Sequence, residues 1–127
     1  MGSLEILGNM FNTTAQLNHL NNLKQQYQQM NNQISTVTSK LSEVYVKLST
    51  AHSEFKANYS SQVADKKSQE LLNQARDVMD LLQKLNEILR ESQKRINTLS
   101  SQISGKEQEL KQLARDLERA KYDENNN

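Results

Sequence analysis

From Leu71 to Ala120 the apolar residues recur at alternating spacings of four and three: Leu71, Ala75, Val78, Leu82, Leu85, Leu89, Ile96, Leu99, Ile103, Leu110, Leu113, Leu117 and Ala120. Only Ser92 and Lys106 interrupt the series. A stripe kept over about seven such repeats marks a helix whose one side is buried against another helix. No other feature constrains the fold as strongly.

A second stripe supplies a partner for the first. Leu20, Leu23, Tyr27, Met30, Ile34, Val37, Leu41, Val44, Leu48, Ala51 and Phe55 follow the same spacing without a polar member. The chain has no proline and three glycines in 127 residues, and its few strand formers do not alternate. The pattern predicts an all-α fold, an antiparallel two-helix coiled-coil hairpin that completes a helical bundle with another chain. The expected layout is a short apolar N-terminal segment over 1–12, helix 1 over 13–58, a turn over 59–66, helix 2 over 67–122 and a polar tail over 123–127. Thr13-x-x-Gln16 fits a capping box that would start helix 1. Gly105 reads as a weak point inside helix 2, because Ile103 and Leu110 stay in phase across it.

The reversal is inferred from a slip in phase. Counting in sevens from Phe55 turns Gln62, Gln69, Arg76 and Gln83 inward, whereas the observed stripe uses Ala75 and Leu82. A continuous rod would have to absorb that slip by local winding. Asn58, Ser60 and Ser61 are weak helix formers and good caps. Pairing Phe55 with Leu71 then sets Leu48 by Val78, Val44 by Leu82, Val37 by Leu89 and Ile34 by Ser92. In this register Lys106 faces Leu20 and would snorkel its ammonium out of the seam.

Charge excludes several functions. Net charge is +1, with 4 basic and 3 acidic residues before Val63 and 12 of each after it. The basic residues are interleaved with acids, so no stripe suits a phosphate backbone and no nucleic acid is expected. There is no cysteine, hence neither a disulfide nor a thiolate metal site. No apolar run has the length of a membrane span. The start lacks a signal-peptide core, and Ile6 breaks the myristoylation pattern. A soluble protein is expected, in the cytoplasm or secreted without a leader.

Two helices make a thin core, which usually needs another chain to complete it. Surplus apolar residues show where that chain would sit. Leu72, Met79, Leu81 and Ile88 flank the stripe of helix 2, and Tyr45 and Val46 flank that of helix 1. These six form the expected partner interface. A further docking segment is read in Leu4, Ile6, Leu7, Met10 and Phe11, which lie on or beside one helical face. Its Glu5 and short length make a membrane an unfavourable target, so a protein is the expected partner.

No chemistry is visible. His19 and His52 lack co-ligands at helical spacing, so no metal is expected. Gly2, Gly8 and Gly105 stand alone, which leaves no phosphate loop and no cofactor site. The carboxylates of helix 2 form i,i+4 pairs with Lys or Arg, such as Asp80–Lys84 and Glu107–Lys111, and read as solvated. No catalytic residue is assigned, and an enzyme is not expected.

In outline the layout resembles prefoldin subunits, but residues 57–65 do not read as the β-hairpin that joins the helices there. It is also similar in outline to small secreted helical hairpins with Trp-x-Gly turns, but it has no Trp and longer helices. The chain is assigned to neither. The expected function is non-catalytic assembly or adaptor work by helix–helix association, with itself or another helical protein. The alternatives are a chaperone-like escort of a larger helical protein and a membrane-surface protein docking through residues 4–11.

Overall fold

The computed structural model describes residues 2–126. It is an all-α helical hairpin of two long helices packed on each other, α1 (Ser3–Asn58) and α2 (Gln62–Asn126). The two helices fall into two compact units, described separately below. One joins the part of α1 up to Gln29 to α2 from Gln93 onward, and the other spans Met30–Ser92.

Several boundaries differ from the sequence reading. Residues 3–12 are the first turns of α1 and not a separate lead-in. Thr13 therefore caps nothing: it lies mid-helix, buried, with its hydroxyl 3.4 Å from Glu109 Oε1. The turn is Tyr59–Ser61, five residues shorter than expected. What was read as a polar tail continues α2 through Asn126. Met1 and Asn127 lie outside the described residues. Gly105 sits inside α2 without ending it.

In the Met30–Ser92 unit, Ser61 sets the start of α2. Its hydroxyl accepts the Ala64 backbone N–H at 3.1 Å, and its carbonyl accepts that of Asp65 at 2.9 Å. That is an N-cap serving the third helical residue, and Asp65 adds a negative charge where the helix dipole favours one. The sequence allowed several caps. Using Ser61 places the centre of the reversal at Ser60, earlier than the 59–66 turn would.

The early reversal changes the register. In the Met30–Ser92 unit, positions equidistant from Ser60 face each other, so facing residue numbers add to about 120. His52 and Ser68 obey this: His52 Nδ1 lies 2.8 Å from the Ser68 carbonyl oxygen and 2.9 Å from its hydroxyl. The expected register put His52 a further six residues along α2, near Gln74. The shift leaves the stripe of α2 as read, with every position from Leu71 to Ala120 buried or half-buried. It turns two residues of the stripe of α1 outward. Ile34, Leu41, Leu48 and Phe55 stay inward, but Thr38, Tyr45 and His52 join them. Val37 and Val44 are turned out to the flank and exposed.

The new inner line carries polar groups. Ser68 and Ser92 are buried, and Ser92 Oγ and Asn31 Oδ1 are buried without a hydrogen-bond partner. By the count from Ser60, Asn31 comes within one turn of Ser92, so two uncompensated atoms share one layer of the seam. Buried unpaired polar atoms cost stability, and in coiled coils such residues hold register.

In the other unit, Ile6 is a fixed point of the core at 2% exposure, with Ile96, Leu99 and Ile103 buried on α2. The first N–H of α1 is capped by the opposite helix. Glu124 Oε1 accepts the Ser3 backbone N–H at 3.1 Å, and Oε2 accepts the Ser3 hydroxyl at 2.9 Å. These two bonds, helped by the Lys121 charge, hold the Glu124 carboxyl below its ordinary value. Lys106 behaves as expected for a cation at a seam position. Its side chain is one-third exposed, and its ammonium reaches Glu109 at 3.2 Å.

Candidate interaction surface

The seam positions of an antiparallel pair divide the flanks into two sides. Because the helices run in opposite directions, the residue just before the first seam position of each repeat falls on the same side in both. In the Met30–Ser92 unit these positions include the large apolar residues Val37 and Val44 on α1, and Leu81 and Ile88 on α2. All four are exposed, at 47%, 42%, 45% and 47%. Counting from Ser60, Leu81 falls between Val37 and Val44, and Ile88 lies just beyond Val37. The four therefore interleave as one apolar row. Lys40 and Lys47 border it on α1, and Asp77, Lys84 and Glu91 border it on α2.

The expected six-residue interface is thereby divided. Leu81 and Ile88 belong to the row. Leu72 and Met79 are half-buried and sit on the opposite side of the seam, where Val46 is exposed. Tyr45 is half-buried on the inner line of α1. Val37 and Val44 were missed as surface residues because the expected register put them inside. Their signal was present in the alternative inward line Asn31, Thr38, Tyr45 and His52, which keeps the seven-residue period but mixes polar and aromatic residues.

In the other unit, the expected docking segment is also divided. Ile6 is internal, Leu7 and Met10 are half-buried, and Leu4 and Phe11 project at 84% and 76% exposure.

Hollows on the surface are open to solvent. The one at the turn, about 470 Å³, is bounded by Phe55, Tyr59, Val63, Lys66, Lys67 and Glu70. The rings of Phe55 and Tyr59 stack at 5.1 Å, tilted by 34°. Lys67 pairs with Glu70 at 3.6 Å. His19 borders another hollow with Gln16, Leu20, Gln102 and Lys106. His52 is engaged with Ser68 in the seam. Among the described residues no three His, Asp or Glu side chains group closely enough to hold a metal, and no helix is long and apolar enough to cross a membrane.

Comparison with protein-family models, with curated proteins and with solved structures finds no match to this chain.

Proposed function

We propose that this chain is a non-catalytic helical-hairpin subunit that works by packing another helix or hairpin onto the Val37–Val44–Leu81–Ile88 row. The observation that carries the reading is the row itself: four apolar side chains exposed on one side of the seam. Covering each half-exposed side chain yields roughly 1 kcal/mol, so about 4 kcal/mol comes from this chain. A similar apolar contribution from the partner brings the total into the lower part of the roughly 4–15 kcal/mol that association costs.

The test is protection of the row in the native complex. A Leu81→Cys variant should react with a maleimide much more slowly in the native assembly than in the unfolded chain. Labelling at the unprotected rate there would sink the proposal. Ile88→Lys should release the partner while circular dichroism stays that of the wild type. Met79→Lys, on the other side of the seam, should release it less.

Leu4 and Phe11 favour a second reading, docking of the start of α1 on a protein or membrane surface. Liposome flotation of the wild type against Leu4→Ser/Phe11→Ser separates the two surfaces. Flotation lost in the variant supports the membrane, and no flotation of either leaves a protein partner.

A further inference from the structure

We propose that the seam of the Met30–Ser92 unit has two states, and that the contact between His52 and Ser68 holds the one described above. In the second state the Met30–Asn58 part of α1 is rotated about its own axis. Val37 and Val44 enter the seam, and Thr38, Tyr45 and His52 leave it. The inference rests on the association reading above and adds its regulation, because the rotation withdraws half of the Val37–Val44–Leu81–Ile88 row.

The spacing of the seam points to the second state. Counting outward from Ser60, the seam positions of α2 are Ser68, Leu71, Ala75, Val78, Leu82 and Leu85, in steps of three then four. Those of α1 are His52, Leu48, Tyr45, Leu41, Thr38 and Ile34, in steps of four then three. Alternate layers are therefore out of level by one residue, about 1.5 Å. Taking Ala51, Val44 and Val37 in place of His52, Tyr45 and Thr38 gives α1 the same steps as α2. Ala51 then comes level with Ser68, Val44 with Ala75 and Val37 with Leu82, within one residue of the register described. Ile34, Leu41, Leu48 and Phe55 serve both states. The change is a rotation of about 50°, half the angle between successive helical residues. It needs neither a slide nor a longer turn.

Each state leaves a different group unsatisfied. In the one described, Val37 and Val44 stay 47% and 42% exposed, and Asn31 Oδ1 is buried without a hydrogen-bond partner. The rotation buries the valines and carries Asn31 toward the flank and water. Against it stands His52, whose Nδ1 lies 2.8 Å from the Ser68 carbonyl oxygen and 2.9 Å from its hydroxyl. Ala51, which would come level with Ser68, has no side-chain group to replace those bonds. Packed seams with opposed gains of this kind switch between discrete arrangements. An associate seated on the row selects the state described, since only there do Val37 and Val44 reach it.

The chain has no cysteine, so introduced pairs report on designed positions. A disulfide closes only where the two Cα atoms come within about 7 Å. Thr38→Cys/Leu82→Cys reports the state described, and Val37→Cys/Leu82→Cys reports the second. In the purified full-length protein under mild oxidation, the Thr38 pair should close within one chain several-fold faster than the Val37 pair. In the His52→Ala background the order should reverse. Val44→Asn puts an amide on the second line only. It should slow the Val37 pair several-fold and leave the Thr38 pair as fast, an expectation that stands even if His52→Ala fails to fold. An order unchanged by His52→Ala in the folded chain overturns the inference, as does Val44→Asn slowing both pairs alike or neither. Those results leave the association reading standing, provided Leu81→Cys remains protected in the native assembly. An unprotected Leu81→Cys sinks that reading and leaves the two states in place.

Discussion

His52 Nδ1 lies 2.8 Å from the backbone oxygen of Ser68 and 2.9 Å from its hydroxyl. With the ring proton on Nδ1, the imidazole donates to the carbonyl. With the proton on Nε2, the hydroxyl donates to Nδ1. Either tautomer is served by the same serine, and only in a register centred on Ser60. The contact therefore fixes which residues of α1 face inward and which reach solvent.

Ser68→Ala leaves the carbonyl and removes the hydroxyl from a buried position. The expected loss is about 0.5–1.5 kcal/mol, the net value of one hydrogen bond, read from the midpoint shift in urea. Unchanged stability would mean that the carbonyl alone satisfies His52.

Ser61→Ala removes the side chain that accepts the Ala64 N–H. The expected cost is about 1 kcal/mol, in the range for lost N-caps. Ser61→Asp should retain most of it. Thermal melts of the three proteins check the order wild type, Asp, Ala.

Ser92→Ala removes a buried hydroxyl that has no partner. Unlike most core substitutions it should stabilise, by about 1 kcal/mol. The gain should come with a looser register, because a buried polar group penalises slipped pairings. A cysteine pair at His52 and Ser68 in the Ser92→Ala background should form its intramolecular disulfide less selectively than in the wild-type background.

How far the sequence determined this outcome differs between the helices. In α2 the inward residues are aliphatic at nearly every repeat, so period alone identifies them, and the structure places all of them inward. In α1 two lines compete. Met30, Val37, Val44 and Ala51 are the more apolar, whereas Asn31, Thr38, Tyr45 and His52 are the more polar, and hydrophobicity picks the former. The turn brings Thr38, Tyr45 and His52 inward and leaves Val37 and Val44 exposed, while Met30 and Ala51 stay half-buried, because the Ser61 cap starts α2 early and shifts the pairing by six. A local cap thus overrode a pattern spread over three repeats. The candidate surface inherits the same split: Leu81 and Ile88 were legible as flanking residues, but Val37 and Val44 became surface residues only once the register was known.

Gly105→Ala should stabilise by about 0.5–1 kcal/mol. A Cβ there meets no heavy atom within 4 Å, so the substitution recovers helix propensity without a clash. Gly8→Ala should behave alike for the same reason. Chemical denaturation with an unchanged slope would verify that only stability moved.

Glu124 is held below its ordinary carboxyl value by its bonds to Ser3. A depressed folded-state value means that the contribution is present above the unfolded pKa and fades as pH falls through the folded one. The Glu124 carboxyl carbon, followed by NMR, should titrate at lower pH than that of a free glutamate. In Ser3→Ala the midpoint should move up toward the ordinary value. The Ser3 amide should lose its shift over the same acidic window.

None of the described residues has a positive φ, and the reversal at Tyr59–Ser61 contains no glycine. The bend makes no demand on backbone handedness, so what it imposes on the helices is its length. Lengthening that link by a few residues would slide one helix past the other until Val37 and Val44 were hidden and Thr38 and Tyr45 came to the flank. The same helices would then present a wetter exterior, so which side chains this unit shows to solvent is written in a connector that touches none of them.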